Sequence, residues 1–206
     1  MNKPGNLIVL SGPSGVGKST LVAAVRSRHP ELEFSISCTT RSPRGEERHG
    51  REYYFLTEED FQAKISRGEF LEYAGVFAHF YGTLKSEVVR RIEAGKTVLL
   101  DIDVQGARQI RQAAESDPIL KRGLVTIMVM PPDLPTLERR LRGRNTDSEE
   151  QLALRLRQAQ SELAHFSEYD YCLVNADLTV AAEDFSAILR SSRCRSSLLD
   201  LKEYWS

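Results

Sequence analysis

A glycine-rich segment near the N-terminus lies between a short apolar run and a segment of helical character. Residues 7–10 read LIVL, residues 11–20 read SGPSGVGKST, and residues 21–28 read LVAAVRSR. The central segment matches the pattern G-x-x-x-x-G-K-[ST]. Between a strand and a helix, this pattern predicts a phosphate-binding P-loop, because its backbone N–H groups and the positive end of the helix dipole face the same point.

Short apolar runs alternate with longer segments of helical period along the chain. We predict strands over residues 7–10, 34–37, 97–102, 124–130 and 171–175. We predict helices near residues 18–28, 84–94, 105–114, 133–142, 148–166 and 178–195. This alternation favours a central parallel sheet covered by helices on both faces. The sequence therefore predicts the three-layer α/β fold of P-loop NTPases.

The stretch from Thr39 to Thr83 interrupts this rhythm with a charged loop and two aromatic clusters. Its segments are RSPRGEERHGRE, YYF and FLEYAGVFAHFYG. A second irregular segment, RGRNTDS at residues 142–148, lies between two predicted helices. We interpret the chain as one domain with a core of residues 1–34, 84–133 and 165–206, an insertion of residues 35–83 and a lid of residues 134–164.

Charge and cysteine content argue against several classes of function. The chain has 28 Lys and Arg residues, 29 Asp and Glu residues and a formal net charge of -1, so we expect no nucleic-acid binding driven by a global positive field. The three cysteines and four histidines lack the spacing of a disulfide framework or a zinc site. Without a signal-like N-terminus or an apolar run of membrane-spanning length, we expect a cytoplasmic protein that does not bind membranes.

The P-loop pattern assigns roles to individual residues. Lys18 is expected to reach the β- and γ-phosphates of ATP, and the Ser19 hydroxyl to ligate Mg²⁺. Asp101 ends an apolar run and is a candidate second ligand, directly or through water, although a solvated helix-capping Asp explains it equally well. The predicted ATP-binding residues of the loop are Gly12, Pro13, Ser14, Gly15, Val16, Gly17, Lys18, Ser19 and Thr20.

Three further segments resemble the guanylate kinase family and occur in the order that the family has. They read SCTTRSPRGEERHGREYYF, FLEYAGVFAHFYGT and LLDIDVQGARQI, and the resemblance continues to VNAD at residues 174–177. It implies transfer of the γ-phosphoryl group of ATP to GMP or dGMP, with Mg²⁺ accompanying ATP. The insertion would then bind GMP.

The resemblance implies a site for each part of GMP. Two arginines three residues apart, Arg41 and Arg44, would be the principal phosphate anchors, and their forked donor sets suit a dianionic phosphate. Glu72 would accept the adjacent N1–H and N2–H₂ donors of guanine, which adenine lacks. The implied GMP-binding residues are Ser37, Arg41, Arg44, Tyr53, Glu72, Tyr81, Gly82, Thr83 and Asp103.

The resemblance also implies that lid arginines act on the triphosphate. Arg140, Arg144 and Arg155 match residues that clamp the transferring phosphoryl group in the family. Asn175 resembles a residue near the adenine pocket, although an Asn that simply forms a turn is a competing interpretation. The implied catalytic residues are Lys18, Arg41, Arg140, Arg144 and Arg155, and Arg140, Arg144 and Asn175 complete the ATP site.

Two other functions compete with this interpretation. A scaffold-type module related to the family would bind phosphopeptides without catalysis, but the intact Gly17, Lys18 and Ser19 argue against it. A kinase for another nucleoside monophosphate is opposed by Glu72. The C-terminal segment RSSRCRSSLLDLKEYWS could pack on the core or form the interface of a homodimer or higher homo-oligomer.

Overall fold

The computed structural model describes residues 4–76, 78–143 and 148–199. Its strands are β1 (Leu7–Ser11), β2 (Glu33–Phe34), β3 (Cys38–Thr39), β4 (Tyr54–Phe55), β5 (Phe70–Val76), β6 (His79–Leu84), β7 (Val98–Asp101), β8 (Leu124–Met130) and β9 (Tyr171–Val174). Its α-helices are α1 (Lys18–Arg28), α2 (Glu58–Ser66), α3 (Lys85–Glu93), α4 (Val104–Ser116), α5 (Pro118–Gly123), α6 (Leu134–Arg142), α7 (Glu149–Leu163) and α8 (Leu178–Ser192). In these ranges no helix is both long enough and apolar enough to cross a membrane.

Five parallel strands form the central sheet in the order β2-β7-β1-β8-β9. Alternate residues of β1 point to opposite faces: Ile8 and Leu10 pack with α1, α6, α7 and α8, whereas Leu7 and Val9 pack with α3, α4 and α5. All four side chains are fully buried, as expected for a strand covered on both faces. The predicted three-layer α/β fold is confirmed.

The central strand β1 delivers the P-loop to the carboxyl edge of the sheet. β1 pairs with β7 on one side and β8 on the other, and Leu10 lies opposite Asp101 in the register with β7. Because parallel strands present their carboxyl ends at one edge, the loop after β1 and the carboxylate that ends β7 become neighbours.

A second, four-stranded sheet has the order β4-β3-β6-β5 and carries α2. Phe61 of α2 is fully buried, with its ring 4.4 Å from that of Phe70 and 5.5 Å from that of Phe80, centroid to centroid. Thr57 caps α2 by accepting a hydrogen bond from the Asp60 N–H at 3.1 Å. The aromatic residues of this region therefore form a small core of their own.

The predicted core elements differ from the structure in two places. The strand predicted over residues 34–37 is wrong, because the central-sheet strand ends at Phe34 and the chain then crosses to the second sheet, which it joins at Cys38. Helix α5 is absent from the predicted elements. It has the sequence signals of a helix start, since Asp117 accepts hydrogen bonds from the N–H groups of Ile119 and Leu120 and Pro118 occupies the first turn.

Candidate functional site

The P-loop borders a cavity of about 430 Å³. The cavity is lined by Gly12, Pro13, Ser14, Gly15, Gly17, Lys18, Ser19, Asp101, Ile102, Asp103 and Glu162. Lys18 Nζ donates to the Gly12 carbonyl at 2.6 Å and lies 3.9 Å from Asp101 Oδ1. Burial raises the pKa of the Asp101 carboxyl, and the charge of Lys18 partly offsets that rise. The predicted P-loop residues thus surround a cation and a carboxylate at the N-terminus of α1.

Two other predicted ATP-site residues contact the P-loop backbone. The buried Asn175 donates from Nδ2 to the Val16 carbonyl at 2.8 Å. Arg140 donates to the same carbonyl at 3.2 Å and to the Asn175 carbonyl at 2.9 Å. Gly17 has a φ of 90°, and a Cβ there would lie 2.6 Å from Asn175 Nδ2, so this position requires glycine. In this structure Asn175 and Arg140 brace the loop, and neither lines the cavity.

The predicted phosphate anchor Arg41 is buried and already holds a carboxylate. Its guanidinium donates to both oxygens of Glu47 at 2.9 and 3.0 Å, which raises the pKa of Arg41 above its usual range and lowers that of Glu47. The Tyr53 ring centroid lies 5.3 Å from the Arg41 guanidinium carbon and 6.1 Å from the Tyr81 ring centroid. Arg44 is exposed, and its backbone N–H donates to Glu47 Oε2 at 2.8 Å. The structure thus groups Arg41, Tyr53 and Tyr81 around an anion site that Glu47 occupies.

The predicted base-recognition residues form a second group. Glu72 is 7% exposed, and Thr83, which follows Gly82 on β6, donates from Oγ1 to Glu72 Oε1 at 2.6 Å. Asp103 caps α4 by accepting from the Gly106 N–H at 2.7 Å. Burial raises the pKa of Glu72, the hydrogen bond from Thr83 opposes the rise, and the charge of Asp103 adds to it. Glu72, Thr83 and Asp103 are therefore brought together from three different elements.

A second cavity, of about 440 Å³, shares Asp103 and Glu162 with the P-loop cavity. Its lining is Ala74, Gly75, Asp103, Val104, Gln105, Arg108, Gln158, Ser161, Glu162, His165 and Glu168. Burial and the charge of Asp103 raise the pKa of Glu162, and Lys18 lowers it. Nothing in the sequence marks Glu162, because it is one of several charged residues on α7 and belongs to no motif. Only the packing of α7 against the cavity reveals it.

The predicted lid residues are only partly within the described structure. Arg144 lies outside the described residues, whereas Arg155 is partly exposed on α7. Arg142 forms ion pairs with Glu138 on its own helix α6 and with Glu149 at the start of α7. Arg142, which the resemblance does not assign to catalysis, thus joins the end of α6 to the start of α7.

The chemistry of the P-loop cavity fits Mg²⁺. Ser19 and Asp101 both line it and offer hydroxyl and carboxylate oxygens, the ligand type that this ion prefers. Over residues 4–76, 78–143 and 148–199, no group of three or more His, Cys, Asp and Glu side chains is arranged to hold a metal. A magnesium ion here would therefore depend on oxygens of the nucleotide as well as on the protein.

The chain is similar to guanylate kinases over nearly its full length. The family model described as guanylate kinase matches residues 4–192. Guanylate kinase of Cereibacter sphaeroides is 46% identical over 195 residues, covering 95% of this chain and 90% of that protein. Guanylate kinase of Thermosynechococcus vestitus is 50% identical over 176 residues, covering 85% and 88%.

A solved structure agrees with these sequence matches. The crystal structure of guanylate kinase from Anaplasma phagocytophilum superposes with a TM-score of 0.71 at 32% identity, covering 98% of this chain and 93% of that one. A family match over residues 4–192 together with relatives at this identity and coverage establishes the relationship. The chain belongs to the guanylate kinase family.

Proposed function

We propose that this protein transfers the γ-phosphoryl group of ATP to GMP or dGMP and releases ADP with GDP or dGDP. Membership of the guanylate kinase family supports the reaction. The observation that carries the choice of acceptor is the buried Glu72 carboxylate, which Thr83 holds beside Asp103. Asp103 in turn lines the P-loop cavity, so the proposed base site and the proposed donor site adjoin.

We assign ATP to the P-loop cavity. Backbone N–H groups of the loop and the Lys18 ammonium would bind the phosphates, and the brace formed by Asn175 and Arg140 would keep the loop in shape. Ser19 and Asp101 would hold Mg²⁺, which neutralises charge on the phosphate oxygens when it is bound. The assignment of Arg140 and Asn175 to direct nucleotide contact stays a prediction.

We assign the phosphate of GMP to the anion site around Arg41. Tyr53 and Tyr81 flank this guanidinium. Arg44 lies in the same loop as Arg41, after β3, and Ser37 directly precedes β3. A dianionic phosphate competes with Glu47 for the forked donors of Arg41, because both ligands present paired oxygens. The exposed Arg44 side chain can add a second pair of guanidinium N–H donors once the phosphate is present.

We assign the guanine base to Glu72 and its neighbours. One carboxylate oxygen of Glu72 accepts from Thr83, which fixes the orientation of the group and leaves its remaining acceptor capacity for the base. Guanine presents two adjacent donors to such an oxygen pair, whereas adenine presents an acceptor at N1. The site therefore favours guanine over adenine.

The proposed chemistry requires positioning and charge stabilisation more than proton transfer. The attacking group is a phosphate oxygen that is already anionic, so no strong general base is required. Lys18 and the lid arginines Arg140, Arg144 and Arg155 would stabilise the charge that is redistributed on the transferring group. Closure of the insertion and lid would exclude water, which otherwise hydrolyses ATP. We place this reaction in the cytoplasm, where both nucleotides are available.

An ADP-release assay across GMP, dGMP, AMP, CMP and UMP tests the proposal. We expect release with GMP and dGMP and little with the other three acceptors. Binding of GMP without ADP release would instead indicate a binding module. A preference for AMP or a pyrimidine nucleotide would refute the assignment of Glu72 to guanine.

A further inference from the structure

One side chain of the core joins the second sheet through backbone hydrogen bonds. Gln109, on α4, accepts from the Tyr73 N–H at Oε1 (3.0 Å) and donates from Nε2 to the Tyr73 carbonyl at 2.9 Å. The two polar atoms of the Gln109 side-chain amide therefore form hydrogen bonds with both backbone polar groups of Tyr73.

This amide takes the place of a neighbouring strand. β5 lies at the end of the order β4-β3-β6-β5, so only one of its edges is paired with a strand. In an antiparallel pair, the peptide groups of alternate residues point away from the partner strand, and those of Tyr73 point toward α4. Gln109 thus satisfies two edge groups that would otherwise rely on water.

The same face of α4 lies beside Glu72, the residue before Tyr73 on β5. Asp103, Gly106 and Gln109 follow one another at intervals of three residues, which places them on one side of the helix. A Cβ on Gly106 would lie 3.0 Å from Glu72 Oε2, so glycine allows the carboxylate to approach the helix closely. The Gln109–Tyr73 contact is therefore one residue along β5 from Glu72 and six residues, slightly under two turns, along α4 from Asp103.

We propose that Gln109 is a positioning residue for the nucleoside monophosphate. It fixes β5 against α4 and thereby sets the spacing between Glu72 and Asp103. α4 starts three residues after Asp101, which lies 3.9 Å from Lys18, so the same contact also relates the second sheet to the P-loop. The role in guanine recognition rests on the proposed function, whereas the contact itself does not.

The test uses two matched variants of the full chain. Gln109→Met keeps the length and helix propensity of the side chain and removes both hydrogen bonds. Gln112→Met makes the same change at an exposed position of the same helix. Exchange of the Tyr73 amide hydrogen is followed by NMR, and affinities for GMP, inosine monophosphate and ATP are measured by calorimetry.

We expect faster Tyr73 exchange and about 3- to 10-fold weaker GMP binding in Gln109→Met, with ATP affinity changed by less than about twofold. Discrimination between GMP and inosine monophosphate, which lacks the 2-amino group, should shrink because the spacing of the two carboxylates is less well defined. Gln112→Met should match the wild type in every measurement.

Three results would overturn the proposal, each in a distinguishable way. Unchanged Tyr73 exchange in Gln109→Met would mean that the contact does not protect β5. Faster exchange with normal GMP affinity would reduce Gln109 to a structural residue. Absence of GMP binding by the wild-type chain would remove the positioning role together with the proposed function.

Discussion

Replacement of Glu72 by Gln tests the proposed base recognition with little change in shape. Gln keeps one oxygen that can accept the hydrogen bond from Thr83 Oγ1, which is 2.6 Å long in the wild type. The other position becomes an NH₂ group, which cannot accept from guanine. One guanine donor then faces a donor in a nearly dry site, because Glu72 is 7% exposed.

The size of the effect follows from the unpaired donor. A buried polar group that loses its partner costs about 1–3 kcal/mol. Since about 1.36 kcal/mol corresponds to a factor of ten in rate, kcat/KM for GMP should fall by about one to two decades. AMP carries an acceptor at N1 that the new NH₂ group can serve, so its relative activity should rise.

Folding stability provides the control for this variant. Burial raises the pKa of Glu72, because the folded protein disfavours the charged carboxylate. The free energy of unfolding therefore falls as pH rises from the ordinary pKa of a glutamate through the raised pKa of Glu72. Gln removes that penalty, so thermal unfolding at neutral pH should show a Tm no lower than that of the wild type. A loss of activity then cannot be attributed to unfolding.

The assay measures kcat/KM for GMP and AMP in wild type and Glu72→Gln, together with KM for GMP from about pH 5 to about pH 8. In the wild type, KM for GMP should rise as falling pH protonates Glu72, at a pH above the ordinary range of a glutamate. Because the GMP phosphate also titrates in this range, with a second pKa of about 6, the variant should retain only the smaller rise that this phosphate causes. An unchanged ratio of GMP to AMP activity would refute the assignment of Glu72 to the base.

Three further predictions concern other parts of the structure. Lys18→Ala should lower kcat by at least about 100-fold, while calorimetry shows GMP affinity unchanged; a large loss of GMP affinity would contradict the separation of the two sites. Arg155→Ala should lower single-turnover rates by about 10³-fold with little loss of nucleotide affinity. Arg157 is exposed on the same helix, and Arg157→Ala should behave as the wild type. Equal small effects of the two substitutions would show that Arg155 has no part in catalysis. Burial raises the pKa of Cys38 to about 11, so peptide mass spectrometry should find the exposed Cys172 and Cys194 alkylated in the folded protein and Cys38 only after unfolding; early labelling of Cys38 would contradict its burial.

The sequence by itself determined the features that consecutive residues encode. The P-loop could be predicted because a strand, a glycine-rich turn and a helix are contiguous, and each has a local signal. The layered fold followed for the same reason, since buried parallel strands read as apolar runs and the intervening helices as periodic segments. The positions of Arg41 and Arg44 in one short loop are likewise local.

Only the tertiary structure decided which distant residues meet at the site. The Asn175 amide reaches the Val16 carbonyl across 159 positions of sequence, and Gln109 reaches Tyr73 across 36. Glu162 lines both cavities only because α7 packs there. Such contacts leave no mark in a single sequence, because a polar side chain on a helix reads the same whether it faces water or another element. The strand predicted over residues 34–37 was wrong for a related reason: a single sequence does not show where the chain leaves one sheet for another, here after Phe34.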